Sequence, residues 1–203
     1  MDEMAYGPNG GLVFCFEYLF QNMDWFAEQI GDFSDDFIVF DCPGQIELIS
    51  HLPVMRDLIK QLSTWSYKSC AVYMLDSHFV TDASKFLSGT LSCLSAMVQL
   101  ELPHVNVLSK CDLLKSRNGM DSEALEVFLE RDVGSIIEQV DRSNPYMKPL
   151  NHAIGSLLQE YDMVSFVPLD SSDEENIEHV VSLIDNVIQY GEDREPVVKD
   201  FEE

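Results

Sequence analysis

The stretch 37–45, FIVFDCPGQ, joins an apolar run to an acid, a Pro-Gly turn and a glutamine. Consecutive apolar residues bounded by turn residues predict a buried strand at 35–40. An acid at the end of such a strand, here Asp41, can hold Mg²⁺ through a water. Gly44 then lets the backbone turn close to a phosphate, and Gln45 can orient an attacking water. The pattern predicts part of a nucleoside triphosphate site, with the alternative that Asp41 only caps the next helix.

A second apolar run, 105–108, also predicts a strand, and Ser109-Lys110-Cys111-Asp112 follows it directly. An aspartate carboxylate can accept hydrogen bonds from N1–H and from the exocyclic amine of guanine, a pair of donors that adenine lacks. The stem of a lysine can pack over the purine ring. A lysine and an aspartate after a strand are otherwise ordinary surface residues. Their order after Asp41 and Gln45 favours a guanine site.

Short apolar runs alternate with helical stripes along the whole chain. Strands are predicted at 35–40, 70–75, 105–108 and 164–167. Helices are predicted at 12–30, at 46–62 with a kink at Pro53, from Thr81 or Asp82 to 101, at 121–161 with a break at 143–145, and from a capping box at 172–175 to 190. This alternation indicates an α/β fold with a mainly parallel sheet flanked by helices, which binds ligands at the carboxyl ends of its strands.

Composition narrows the classes of function. The 203 residues predict one domain, 1–190, followed by an acidic tail, 191–203, that we expect to be disordered. The net charge of −24 repels phosphate backbones, so direct binding of nucleic acid is not expected. No run of 18 apolar residues predicts a membrane span. The scattered cysteines and histidines have no ligand spacing, which argues against a disulfide framework and a transition-metal site.

Taken together, the motifs resemble those of the GPN-loop GTPases. The matching segments are Gly7-Pro8-Asn9, Gly10-Gly11-Leu12, Asp41-Cys42-Pro43-Gly44-Gln45, Ser109-Lys110-Cys111-Asp112-Leu113-Leu114 and Phe166-Val167-Pro168-Leu169. Taken alone, Gly7-Pro8-Asn9 predicts only a turn before a helix. The resemblance extends from Tyr6 to about Tyr190 and implies the P-loop NTPase fold of SIMIBI-type GTPases.

The resemblance also implies a role for each matching residue. Gly7, Pro8 and Asn9 would form the family's inserted loop, in which Asn9 points at the γ-phosphate bound by a partner subunit. Asp41 would hold Mg²⁺ through water, and Gln45 would position the nucleophilic water. The residues that would bind guanine are Ser109, Lys110, Cys111, Asp112, Leu169 and Asp170.

The resemblance to this family implies ligands and partners as well. The implied ligands are GTP and Mg²⁺, and the implied reaction is hydrolysis of GTP by direct attack of water in a site completed by dimerisation. The implied partners are another GPN-loop GTPase, in a homodimer or heterodimer, together with RNA polymerase subunits and chaperone machinery. The family acts in assembly and nuclear import of RNA polymerases, which implies a cytoplasmic protein that shuttles to the nucleus.

The start of the sequence departs from the family pattern. Family members begin with a strand, a Gly-rich P-loop and the aspartate of the first switch, but no Gly-x4-Gly-Lys-[Ser/Thr] occurs in these residues. We therefore expect Met1 to be a downstream start, a splice variant or the start of a truncated gene model. Because P-loop amides and lysine hold the β- and γ-phosphates, we expect weak or no nucleotide binding and no turnover.

Two alternatives follow from this departure. The chain can be a non-catalytic adaptor that dimerises through the aromatic helix predicted at 12–30 and lends Asn9 to an intact partner. It can also be an unrelated flavodoxin-like domain, which would make every matched motif a coincidence.

Overall fold

The computed structural model describes residues 7–31, 37–50, 52–114, 122–130, 132–143, 145–161 and 164–190. The chain divides into two compact units. The first extends to Tyr67 and includes Gln99–Glu101, and the second contains Lys68–Val98 and the residues from Leu102 onward. The predicted tail 191–203 and the first two residues of the strand predicted at 35–40 lie outside the described residues.

The described secondary structure of the first unit is helical. Its helices are α1 Pro8–Gln21, α2 Met23–Ile30, α3 Glu47–Ser50 and α4 Val54–Thr64. A single helix over 12–30 was wrong, because Asn22 has φ −124° and ψ 39° and separates α1 from α2. Its side-chain Nδ2 donates to the Tyr18 carbonyl at 2.7 Å, which stabilises the end of α1. Pro53 lies at the start of α4, so the kink predicted there is a boundary between two helices.

The core of the first unit packs α2 against α4. Ile30, Leu58 and Leu62 are its buried residues, and aromatic side chains including Phe26 and Trp65 surround them. The Phe26 and Trp65 rings lie 6.1 Å apart. Phe20 also packs against this core, whereas Tyr18 and Trp25 are exposed.

The strand predicted at 35–40 is not formed over residues 37–40, and this prediction was wrong for the part that is described. The sheet of the described residues contains no segment from this region. An extended segment is a strand only when a neighbour supplies the ladder hydrogen bonds. Val39 is 89% exposed, so the apolar run is not buried as the pattern predicted.

The second unit contains a parallel sheet with the order β1-β2-β3 among the described residues. Its strands are β1 Ala71–Asp76, β2 His104–Ser109 and β3 Val167–Pro168. Asp76 lies opposite Ser109, and Leu108 lies opposite Pro168. The predictions at 70–75 and 105–108 are confirmed. The prediction at 164–167 overlaps β3, in which only Val167 and Pro168 pair.

Helices flank this sheet. They are a 3₁₀ turn Ser77–Thr81, α5 Ala83–Leu100, α6 Ser122–Leu129, α7 Val133–Ser143, a 3₁₀ turn Pro145–Met147, α8 Lys148–Glu160 and α9 Glu174–Ile188. The predicted cap at Asp82 accepts from the Lys85 backbone N–H at 3.0 Å. The capping box is shifted by one residue, because Asp173 is the cap of α9 and accepts from the Glu175 backbone N–H at 3.1 Å.

Both faces of the central strand β2 are covered. On one face, Leu108 belongs to a core in which the Phe86 ring of α5 lies 5.0 Å from Phe128. On the other face, Val107 packs with Val180 of α9. The predicted α/β fold with a parallel sheet flanked by helices is therefore confirmed. No helix of the described residues is long and apolar enough to cross a membrane.

Candidate functional site

The carboxyl ends of β2 and β3 bring the candidate guanine-binding residues to one edge of the sheet. The Leu169 backbone N–H donates to the Leu108 carbonyl at 2.8 Å, and the Cys111 N–H donates to the Leu169 carbonyl at 3.1 Å. These two bonds tie segment 109–112 to segment 169–170. Two of the three segments that the sequence predicted at strand ends therefore lie together.

Ser109 and Lys110 are also bonded to the end of β1. The Ser109 hydroxyl donates to the Leu75 carbonyl at 3.1 Å. Lys110 has a left-handed φ of 61°, and its Nζ donates to Asp76 Oδ2 at 2.6 Å. The Ser77 hydroxyl donates to the Lys110 carbonyl at 2.8 Å. Segment 109–112 is thus held by bonds to the ends of both neighbouring strands.

Asp76 was not among the site residues predicted from sequence. Its carboxylate accepts from Lys110 Nζ and from the His78 backbone N–H at 2.9 Å. The bond from Lys110 is the larger cause, and together the two hold the pKa of Asp76 below its ordinary value. The signal that could have found Asp76 was its place at the end of an apolar run, the same pattern that selected Asp41.

Asp112 begins a short helical turn after β2. The Leu113 backbone N–H donates to the Lys110 carbonyl at 3.1 Å, and the Cys111 thiol donates to the Leu108 carbonyl at 3.2 Å. Asp112 is half-buried, and its carboxylate has no hydrogen-bond partner in the described part of the chain. These bonds fix the backbone that carries the Asp112 carboxylate. Asp170, on the neighbouring segment, accepts from the Ser172 backbone N–H at 2.9 Å.

Asp41 and Gln45 belong to the first unit. Asp41 is exposed and makes no capping hydrogen bond among the described residues, so the structure does not favour the alternative that it caps a helix. Burial, with the negative charge of Asp41 as the second cause, raises the pKa of the Cys42 thiol. The carbonyl of Gln45 accepts from the Leu48 N–H at 3.1 Å at the start of α3. Its side-chain Oε1 is buried and has no hydrogen-bond partner among the described residues.

Mg²⁺ is the metal that the resemblance implies for this region. Mg²⁺ keeps several waters and is bound through one or two carboxylates together with substrate phosphates. No group of three or more His, Cys, Asp or Glu side chains that could hold a metal occurs among the described residues, and Asp41 is a single exposed carboxylate. A role for Asp41 in holding Mg²⁺ through a water stays a prediction. The buried Gln45 Oε1 has no partner among the described residues, and an ordered water can satisfy such an acceptor.

The Gly7-Pro8-Asn9 segment lies at the start of α1. Gly7 precedes the helix, and its carbonyl accepts from the Gly11 backbone N–H at 2.9 Å. The turn predicted before the helix is corrected, because Pro8 and Asn9 already belong to α1. Proline is favoured at the first helical position, where its missing N–H costs no hydrogen bond. Asn9 is exposed at this end of the first unit.

A parallel sheet with polar side chains at the carboxyl ends of its strands is the arrangement at which α/β proteins bind ligands. A family described as "Conserved hypothetical ATP binding protein" matches residues 1–190. The chain is 50% identical to GPN-loop GTPase 3 of Dictyostelium discoideum, over 97% of this chain and 68% of that protein.

Two further relatives carry the same name. GPN-loop GTPase 3 of Schizosaccharomyces pombe is 46% identical over 97% of this chain and 72% of its own length. That of Danio rerio is 47% identical over 96% of this chain and 68% of its own length. The chain belongs to the GPN-loop GTPase family. All three relatives are named GPN-loop GTPase 3, which agrees with the resemblance of its motifs to that paralogue.

Proposed function

We propose that this chain carries the guanine-reading half of a GTP-hydrolysing site. The observation that supports this most is the pair of backbone hydrogen bonds that join Leu169 to Leu108 and Cys111 to Leu169. They fix the backbone on which the half-buried Asp112 stands. The description of the matched family names ATP, whereas the relatives are named GTPases. An aspartate acceptor favours guanine, since adenine has no N1–H.

Each residue at the strand ends has a role in this proposal. Asp112 accepts from guanine N1–H and from the exocyclic amine, and the Lys110 stem covers one face of the ring. Ser109 and Cys111 hold the segment in place through their bonds to Leu75 and Leu108. Leu169 and Asp170 lie along the other edge of the base.

The catalytic part of the proposal uses residues of the first unit. Asp41 holds Mg²⁺ through water, and the ion would supply charge stabilisation at the phosphates when bound. Gln45 orients the attacking water. Gly7 and Pro8 present Asn9 to the γ-phosphate of a partner subunit. No Gly-x4-Gly-Lys-[Ser/Thr] occurs among these 203 residues, so we expect their own affinity for GTP to rest on the base and to be weak.

The proposal extends to organisation and partners. Residues 1–190 act as one GTPase domain, and the acidic residues 191–203 form its tail. The partners are a second GPN-loop GTPase, RNA polymerase subunits and chaperone machinery, and no nucleic acid is bound directly. The protein acts in the cytoplasm and shuttles to the nucleus during polymerase assembly.

A second candidate function is that of a non-catalytic dimerisation module. The observation that favours it is the exposure of Tyr18 on α1 and Trp25 on α2. Exposed aromatic residues are enriched in protein interfaces. Such a module would bind its partner equally well with or without an intact guanine site.

The variant Asp112→Asn separates these candidates. Xanthine carries a carbonyl where guanine carries the exocyclic amine, so an Asn amide can donate to xanthine but cannot accept both guanine donors. We expect GTP binding to weaken about tenfold or more and XTP binding to strengthen, since hydrogen bonds to a charged group are among the strong ones. The measurement is a fluorescence titration of the 203-residue chain with both nucleotides in the presence of Mg²⁺.

The matched control is Asp132→Asn. Asp132 is an exposed acid that accepts from the Ser135 backbone N–H at 3.1 Å at the start of α7. This control should leave the ratio of GTP to XTP affinity unchanged. If Asp112→Asn also leaves that ratio unchanged, the guanine site is wrong. Partner binding that survives Asp112→Ala, without any nucleotide binding by the wild type, would support the dimerisation module.

A further inference from the structure

We propose that Asp76 and Ser77, at the end of β1, are positioning residues for the guanine-reading segment 109–112. This proposal rests on the proposed function for the identity of the ligand. Neither residue belongs to the motifs that identify the family in this sequence. Their role follows from bonds between the ends of β1 and β2.

Three side-chain bonds connect those two strand ends. The Ser109 hydroxyl donates to the Leu75 carbonyl, and the Ser77 hydroxyl donates to the Lys110 carbonyl. Lys110 Nζ forms an ion pair with Asp76 Oδ2. Because Asp76 and Ser109 are opposite each other in the parallel register, each strand end donates a hydroxyl bond to the other. The result is a clip that joins the end of β1 to the turn that carries Asp112.

The conformation of Lys110 explains why such a clip is needed. Its φ of 61° is in the left-handed region, where a residue with a Cβ is strained and persists only when its surroundings hold it. The Lys110 carbonyl is held by the hydroxyl of Ser77, a buried residue. A buried hydroxyl without this partner would cost free energy, so the bond stabilises the turn in this conformation.

Asp76 acts on the side chain of Lys110. The Asp76 carboxylate is itself oriented, because its Oδ1 accepts from the His78 backbone N–H at the start of the 3₁₀ turn. The side chains of Lys110 and Asp76 are 58% and 39% exposed, so solvent screens the pair and its contribution to stability is small. The ion pair instead orients the side chain of Lys110, whose stem would cover the purine.

A double-mutant cycle tests the role of Asp76. Asp76→Asn keeps an acceptor for the His78 N–H but removes the charge that holds Lys110 Nζ. We expect GTP and XTP binding to weaken by the same factor, about threefold, which leaves the selectivity set by Asp112 unchanged. In a Lys110→Met background, Asp76→Asn should cause no further loss of affinity. In a chain with Lys110 present, Asp76→Glu keeps the negative charge and should bind GTP about as well as the wild type.

The control for Asp76→Asn is Asp82→Asn. Asp82 accepts from a backbone N–H near the start of α5, at the far end of the same 3₁₀ turn, and its carboxylate pairs with no lysine ammonium among the described residues. This control should leave GTP affinity unchanged. An equal loss on Asp76→Asn with and without Lys110 would overturn the positioning role, because the two side chains would then act independently.

Amide hydrogen exchange tests Ser77 without any nucleotide. Ser77→Ala removes the bond to the Lys110 carbonyl, and we expect exchange at the Cys111 N–H to accelerate about tenfold as the turn opens more often. Ser88→Ala is a matched control, since its hydroxyl donates to the Ser84 carbonyl within α5. Unchanged exchange at Cys111 in Ser77→Ala would overturn the proposal.

The two proposals fail in different ways. If the folded wild-type chain binds neither nucleotide, the proposed function fails, and exchange at Cys111 alone decides whether the clip exists. If GTP binds with selectivity that depends on Asp112 but shows no coupling between Asp76 and Lys110, the guanine site stands and the positioning role fails.

Discussion

Two segments of this molecule share one sequence pattern but differ in structure. Residues 37–41 and 105–112 each place an acid after an apolar run. The second run forms β2, pairs with β1 and β3 and is buried. Over 37–40 the first run forms no strand, and Val39 is largely exposed. An apolar run therefore forms a strand only where a neighbouring strand supplies the ladder hydrogen bonds.

The largest expected effect on stability comes from truncating a side chain in the core that packs against the sheet. Phe86→Ala removes a ring that packs edge-to-face with Phe128 and Phe166 at centroid distances of 5.0 Å and 5.8 Å. We expect the free energy of unfolding to fall by about 3–5 kcal/mol, because the loss of transfer free energy is accompanied by a cavity. Urea denaturation of the wild type and the variant measures this change in the free energy of unfolding.

The matched change in the other segment is Val39→Ala. Since Val39 is 89% exposed, we expect its effect on the free energy of unfolding to stay within about 0.5 kcal/mol. A loss of several kcal/mol on Val39→Ala would mean that this run is buried, and the contrast between the two segments would disappear.

A smaller effect comes from glycines in the two regions. A Cβ added at Gly155 of α8 would lie 2.9 Å from Ile137 Cγ1 of α7, whereas a Cβ at Gly44 would meet no atom within 4 Å. We expect Gly155→Ala to destabilise the chain by about 1–3 kcal/mol through overpacking, and Gly44→Ala to be neutral or slightly stabilising. Thermal unfolding of both variants measures the difference, and equal effects would contradict the close approach of α7 and α8.

The smallest effect concerns the charge at the end of β1. The hydrogen bond from Lys110 holds the pKa of Asp76 below its ordinary value. The ionised Asp76 therefore stabilises the folded chain fully when the pH is above the ordinary pKa of aspartate. This stabilisation is lost as the pH falls through the lowered pKa of Asp76 in the folded state. Lys110→Met should raise the pKa of Asp76, as followed by NMR of its carboxyl carbon. Asp141, whose pKa is lowered first by the hydrogen bond from Asn151, is the internal control and should not move. An unchanged midpoint for Asp76 in Lys110→Met would show that the ion pair does not form in solution.

Sequence predicts most of the second unit because its information is local. The apolar runs at 70–75 and 105–108 are strands, and Asp82 caps its helix as its residue type predicts. The break at Asn22 was missed, since it depends on a bond from its side chain to the backbone of the preceding turn. The bond between Asp76 and Lys110 was missed as well, because the pairing of two strands far apart in sequence brings these residues together. The pairing of strands that are far apart in the chain leaves no local pattern in a single sequence, so contacts that depend on it are not predicted.

The measurement that tests the central claim most directly is a titration of the folded 203-residue chain with fluorescent GTP and ATP analogues in the presence of Mg²⁺. The strand-end site predicts that GTP binds and ATP does not, because Asp112 offers acceptors that match guanine and that adenine cannot use. Equal binding of both nucleotides, or a preference for ATP, would show that Asp112 does not read the base and would contradict the guanine site.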